Sequence, residues 1–192
     1  MLPALSMARR PPLARRLAVT ALLAASLIAA DRISKNAAVL ALASRGGIEM
    51  IPGIMSFRLT ANTGMAFSLG AGLGVVSIAL TAIVSAAGIV YLVRAPIVSR
   101  LEPIGLGMLM GGSIGNAIDR VLYGSVTDFI QVRIMDFPIF NVADIGITLG
   151  ILVALFGFMK LSPANQRALD RDEAARDIRS DIEDDGSSVN EK

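Results

Sequence analysis

Four aspartates, Asp31, Asp119, Asp128 and Asp144, stand within or beside runs of apolar residues that have no need of charge. Ionisable groups in such surroundings are functional candidates by default. The chain has no histidine and no cysteine, which excludes Ser-His and Cys-His nucleophiles, His-based zinc and disulfides. Proton transfer near neutral pH therefore falls to Asp, Glu, Lys or Tyr with shifted pKa values. Asp128 precedes the last long apolar run and Asp144 sits in its first turn, so the two can meet at the edge of that run. Two carboxylates in a partly dry site cannot both ionise cheaply, and one keeps a proton while the other stays charged. Such a pair activates water in aspartic proteases: the anion takes a proton from water and the acid polarises the scissile carbonyl.

Each of these residues also has an ordinary reading. Asn141-x-x-Asp144 has the form of a helix N-cap, with the acid favoured by the helix dipole. Asp119-Arg120 reads as an ion pair closing an apolar segment, with Arg120 holding a loop carbonyl. Asp31 and Lys35, four apart on one helical face, read as an intrahelical pair. Asp128 reads as a turn residue. Composition alone leaves a protease and a small proton-coupled transporter or ion-pathway subunit level.

The elements that must position these residues are membrane spans. The chain of 192 residues is 54% hydrophobic with a mean hydropathy of +0.63, above the roughly 45–50% apolar usage of soluble domains. An all-α polytopic protein with four transmembrane helices is expected, over about 13–36, 73–93, 103–122 and 142–160. The first run, Leu17–Ala30, is short for a span and continues through Asp31 and Lys35 toward Ala43, since roughly 20 residues are needed to cross the hydrocarbon. A cleaved signal peptide shares its basic start and small-residue end, but the residues after Ala30 do not look like a mature soluble domain. Leu73–Val93, 21 apolar residues, is the clearest span. In the third, Gly107, Gly111 and Gly115 recur every fourth residue, a spacing that lets helices approach closely in lipid. Between spans one and two, Ser56 to Thr60 alternates as a short strand, with Asn62 and Gly64 in the turn after it. Phe67 and Leu69 are placed to dip into the interface. Ser125–Ile134 alternates too and reads as a strand or extended loop, with Asp128 on its apolar face.

Residues 1–162 form one membrane domain and 163–192 a charged tail, expected to be disordered. The split of charge supports this: by count, 13 basic and 7 acidic groups precede residue 163, against 5 and 9 after it. Arg9, Arg10, Arg15, Arg16, Arg94, Arg100, Lys160 and Arg167 cluster at alternate loops, which predicts both termini in the cytoplasm. All four aspartates then fall near the outer face.

Four segments together resemble the signal peptidase II family of membrane aspartic proteases. They are Asp31-x-x-x-Lys35, Asn62-Thr-Gly-Met-Ala-Phe67, Gly115-Asn-Ala-Ile-Asp-Arg120 running on to Gly124-Ser-Val-Thr-Asp-Phe129, and Phe140-Asn-Val-Ala-Asp144. They occur in the family's order and layout over about residues 13–161, a combination far more specific than any one piece. The resemblance implies Asp128 and Asp144 as the catalytic pair, with Asp119 and Arg120 in support. It also implies site-building roles for Asp31, Lys35, Asn62, Gly64, Asn116, Asn141 and Ala143. Its implied activity is cleavage of diacylglyceryl-modified prolipoproteins just before the lipidated cysteine, in the cell (inner) membrane. It implies no metal, no cofactor and no nucleic-acid partner, and a monomer is expected. It further implies a small β-containing extracytoplasmic platform, and a lid over the pair formed by Ser125 to Phe140.

Overall fold

In the computed structural model, residues 12–64, 74–95 and 99–161 are described. The expected interfacial residues Phe67 and Leu69, the Met65–Phe67 part of the second motif and the tail from 163 lie outside them. Four long helices and three strands run in the order α1 (Leu13–Leu42), β1 (Ile48–Ile51), β2 (Met55–Asn62), α2 (Gly74–Arg94), α3 (Leu101–Tyr123), β3 (Val126–Val132) and α4 (Val142–Phe156). A π-helical turn, Gly157–Leu161, extends α4. The first helix runs 30 residues and is capped at Ala43, past the span boundary at 36 and as far as the expected continuation toward Ala43, because Asp31, Lys35, Ala38 and Leu42 continue one buried stripe.

By length and composition α1, α2 and α4 with its extension are apolar enough to cross a membrane. The predicted third span, α3, is less apolar because it is the central helix. Its glycines, Asn116 and Asp119 are buried against neighbours, so it needs little lipid-facing surface. Its small residues serve two faces at once. A Cβ at Gly107 or Gly111 would meet the α1 backbone at Thr20 or Ala24 within 2.8 Å, and one at Gly112 would stand 2.4 Å from the Ala143 carbonyl of α4. The four-residue spacing in the sequence showed only the face toward α1.

The strands form one antiparallel sheet in the order β1-β2-β3. Residues 48–51, not expected as a strand, pair with β2 through a tight connection in which Gly53 takes φ 71°, a conformation that glycine adopts without strain. The sheet sits on the C-terminal end of α1, where Ala38, Leu42 and Phe129 form a small core with Phe57, Leu59 and Val142 around it. Asn62, placed in a turn by the sequence, is the last residue of β2 and pairs with Val126. Its side chain is thereby aimed across the sheet at Asp128 on β3.

Candidate active site

Two turns of local structure fix Asp144. Asn141 caps α4: its Oδ1 accepts from the Asp144 N–H at 3.0 Å, and Asp144 Oδ2 accepts from the Asn141 N–H at 3.0 Å. This reciprocal pair satisfies two otherwise orphaned backbone donors. The capping reading is therefore correct, and it uses one carboxylate oxygen. The other, Oδ1, accepts from Asn116 Nδ2 of α3 at 2.8 Å.

Asp128 is buried on β3, and its two oxygens accept from Asn141 Nδ2 at 2.6 Å and Asn62 Nδ2 at 3.0 Å. Asn141 thus serves both aspartates, one through its backbone N–H and one through its amide. Burial pushes the Asp128 carboxyl up to about 6, and the nearby charge of Asp144 pushes the same way. The amides of Asn62 and Asn141 and the Lys35 ammonium pull against that shift. Of the three causes of a pKa shift, desolvation dominates.

Behind the pair lies a fully enclosed charge cluster. Lys35 Nζ lies 2.7 Å from Asp31 Oδ2 and 2.9 Å from Asp119 Oδ2, and Asp31, Lys35 and Asp119 are each 2% exposed. The same ammonium donates to Asn116 Oδ1 at 2.9 Å. Asp31 Oδ1 accepts from the Ala143 N–H at 3.0 Å, which ties α1 to the first turn of α4. The fit is close: a Cβ at Gly115 would stand 2.9 Å from Asp31 Oδ2.

The expected Asp119–Arg120 ion pair does not form. Neighbouring residues on a helix point about 100° apart, so Asp119 turns to Lys35 and to Arg32, whose NH1 lies 2.9 Å away. Arg32 also bonds the Tyr123 hydroxyl and stacks over that ring at 5.1 Å. It is a supporting residue that the sequence reading missed, although its position one residue after Asp31 was a signal. Arg120 does hold a loop carbonyl, that of Gly64, at 2.8 Å through NH2, while its buried Nε has no partner.

Asn62, Asn116, Arg120, Asp128 and Asp144 line one cavity of about 440 Å³. Its remaining walls are apolar apart from Thr148: Val126, the segment from Phe137 to Phe140, and a face of α4 with Ile145, Ile147 and Leu149. The expected lid from Ser125 to Phe140 needs correction. Residues 126–132 are a sheet strand, and Phe140 is fastened to that strand by exchanging backbone bonds with Ile130 at 2.8 and 3.0 Å. Only the turn between them projects, and Phe137 packs edge-on against Phe140 at 5.6 Å to form the wall. Among the described residues no group of three or more acidic side chains is placed to hold a metal ion.

A four-helix membrane bundle carrying two amide-held carboxylates on one apolar-walled cavity has the outline of a membrane-embedded hydrolase. Comparison with known proteins makes this specific. The family model described as signal peptidase (SPase) II matches residues 23–160, more than half of the chain. The lipoprotein signal peptidase of Gloeobacter violaceus is 40% identical over 133 residues, spanning 69% of this chain and 77% of that protein. That of Enterococcus faecalis is 38% identical over 138 residues, spanning 72% and 86%. Among solved structures, a bacterial membrane enzyme determined by the in meso method at 2.3 Å resolution superposes with a TM-score of 0.66 at 28% identity, covering 75% of this chain and 89% of that one. The chain belongs to the signal peptidase II family. It is a protease of that family and a multi-pass membrane protein, and this decides between the protease and transporter readings that composition left level.

Proposed function

We propose that this protein is the endopeptidase that removes signal peptides from diacylglyceryl-modified prolipoproteins, cutting just before the lipidated cysteine by means of Asp128 and Asp144. The observation that carries this reading is the cavity itself: two aspartates line it together, each held by asparagine amides, with apolar walls suited to a lipidated peptide.

One member of the pair keeps the shared proton, and burial, which raises the proton affinity of Asp128, suits it to that role. That leaves Asp144 to take a proton from the attacking water, while the Asp128 acid polarises the scissile carbonyl. After attack, the tetrahedral intermediate collapses as the leaving amine receives a proton from the pair. Asn116, Asn141 and Asn62 orient the two carboxylates through their amide hydrogen bonds. Arg120, which lines the cavity, is fixed on the Gly64 carbonyl and has one buried N–H without a partner.

Placement in the membrane accords with the same reading. Arg15 and Arg16 open α1, Arg94 ends α2 and Arg100 precedes α3, which by the positive-inside tendency sets these ends in the cytoplasm. The aspartates then lie near the extracytoplasmic face of the cell membrane, where a lipid-anchored substrate presents its scissile bond. The enzyme acts as a monomer, since one chain supplies both acids and their supports. Incubating purified protein with a diacylglyceryl-modified lipobox peptide should give cleavage before the modified cysteine. An unlipidated peptide should be a far poorer substrate. No cleavage by folded protein in lipid would overturn the reading.

A further inference from the structure

The Lys35 ammonium has three hydrogens and no acceptor, and it meets three oxygens: Asp31 Oδ2 at 2.7 Å, Asp119 Oδ2 at 2.9 Å and Asn116 Oδ1 at 2.9 Å. Two carboxylates suffice to neutralise and bury a lysine. The third hydrogen goes instead to an amide whose other end, Nδ2, donates to Asp144 Oδ1 at 2.8 Å. We propose that Lys35 is a positioning residue for Asp144, acting one hydrogen bond away through the Asn116 amide.

A donor-only group at Oδ1 forces the Asn116 NH2 to face Asp144. Asn141 Nδ2 makes a second bond to the same oxygen, at 3.1 Å, but only Lys35 brings a charge. A charge-assisted bond to an amide oxygen strengthens the amide as a donor, because hydrogen bonds in a chain polarise one another. The Asn116 NH2 can bond only to a group that accepts, so a stronger donor there holds Asp144 in the accepting role, the one in which it takes a proton from water. The other charged groups around this chain are fixed by the fold: Asp31 and Arg32 from α1, Asp119 and Arg120 from α3, and Asp128 from β3. Asp31 and Asp119 hold the ammonium in place, and Asp31 also grips the Ala143 N–H beside Asp144.

The inference rests on the reading of Asp128 and Asp144 as the reacting pair, and its test is the pH profile of kcat/KM with the diacylglyceryl-modified peptide. Lys35→Met removes the donor but leaves Asp31 buried beside a lost partner. The double variant Asp31→Asn/Lys35→Met avoids this, because the amide side chain can still accept from the Ala143 N–H and Asp119 keeps Arg32. In this variant the acidic limb should move to higher pH by roughly half a unit to one unit, as for loss of a nearby stabilising donor. kcat should fall more than KM changes. Asn116→Leu should move the limb by a similar amount. Adding Asp31→Asn/Lys35→Met to Asn116→Leu should move it no further, since coupled residues on one path are non-additive.

An unmoved limb in a folded variant would reduce Lys35 to a structural ion pair. Shifts that add would show that Lys35 acts around Asn116 and not through it. If these variants do not fold, Lys35→Arg decides, since it keeps the charge between Asp31 and Asp119 but not the ammonium's geometry at the Asn116 oxygen: a limb shifted as in Asn116→Leu supports the path, and an unmoved limb overturns it. Failure of the aspartate reading itself is seen separately, as normal cleavage by Asp128→Asn or Asp144→Asn.

Discussion

Two helices of this protein begin with the same local device and put it to different ends. At the start of α3, Ser99 Oγ accepts from the Glu102 N–H at 3.3 Å while Glu102 Oε1 accepts from the Ser99 N–H at 2.7 Å. At the start of α4, Asn141 and Asp144 make the same exchange. Both acids sit in the first turn, where the helix dipole favours negative charge. The second oxygen of Glu102 is taken by the Tyr91 hydroxyl. Around it Arg16 NH1 donates to the Ala95 carbonyl at 3.0 Å and Thr20 donates to the Pro103 carbonyl at 3.0 Å, which closes that end with protein groups. The second oxygen of Asp144 meets Asn116, and Asp144 lines a cavity that a second carboxylate shares. Arg16 and Asp31 are about 22 Å apart along α1 at 1.5 Å per residue, so the two devices lie at opposite ends of the bundle. A capped acid is thus common to both ends, buried in one and half-buried on a cavity in the other, and the difference between them is a second acid and room for a substrate.

The comparison is broken most sharply by removing charge from each acid in turn. Asp128→Asn and Asp144→Asn should each lower cleavage of the lipidated peptide by about a thousandfold or more, a loss typical of groups that move protons in the reaction. Thermal unfolding should show both variants folded, because Asn keeps the size of Asp and an amide oxygen that still accepts one of the two hydrogen bonds made at each position. A normal rate in folded Asp144→Asn would make Asp144 a cap and nothing more, the equal of Glu102.

Arg120→Ala should rank next, with a loss of roughly tenfold to a thousandfold, the range seen when one orienting or charge-stabilising donor is removed from an active site. Arg120→Lys should recover little of it if the guanidinium's geometry at the Gly64 carbonyl matters. Full activity in Arg120→Ala would show that the segment after β2 needs no such anchor.

At the other end the effect should be on stability. Tyr91→Phe leaves a buried Glu102 oxygen without its donor and should cost about 1–3 kcal/mol, the penalty for an unsatisfied buried acceptor. Cleavage by the folded fraction should stay within about twofold of wild type, measured beside the unfolding midpoint in the same detergent. A large fall in kcat without loss of stability would mean that the two ends communicate.

A pH scan sharpens the contrast from the stability side. Asp128 has its proton affinity raised on folding, from an ordinary value of 3.8 to about 6. Between those values the folded protein binds more protons at this site than the unfolded chain does. Its contribution to stability is therefore fully present below about 4 and is lost as pH rises through about 6. The unfolding midpoint of wild type should rise as pH falls from 7 toward 5, and Asp128→Asn should flatten that slope. The smallest effect is expected from Asp136→Asn. Asp136 is exposed in the turn after β3, and the variant should cleave at the wild-type rate.

Much of the site was legible because the chemistry narrows so early. A chain with no histidine and no cysteine, and with aspartates beside apolar runs, has few ways to hydrolyse a bond, and the four motifs carry a recognisable order. Asp31 and Lys35 at a four-residue spacing do pair, as the helical period requires. The capping reading of Asn141-x-x-Asp144 was sound for the same reason, since a cap involves only neighbours in sequence. The matching Ser99-x-x-Glu102 was equally local and was not singled out.

The sequence could not decide the contacts set by the meeting of distant elements. Which partner Asp119 takes depends on α1 lying beside α3, and the answer was Lys35 and Arg32, not the adjacent Arg120. That Asn62 reaches Asp128 is a consequence of the register of β2 on β3, in which Asn62 pairs with Val126 and Thr60 with Asp128. The glycines showed that α3 is packed closely, but only the bundle revealed that Gly107 and Gly111 admit α1 while Gly112 admits α4. The alternation of Ser125–Ile134 pointed to a strand, but only its antiparallel pairing with β2, far off in sequence, turned most of the expected lid into sheet and left a short apolar wall. By itself the sequence determined the long helices and their order, the cap of α4 and the chemical inventory, since these depend on composition and on neighbours within a turn or two. The tertiary structure decided which carboxylates share a cavity and which share only a helix end, because that depends on burial and on long-range pairing.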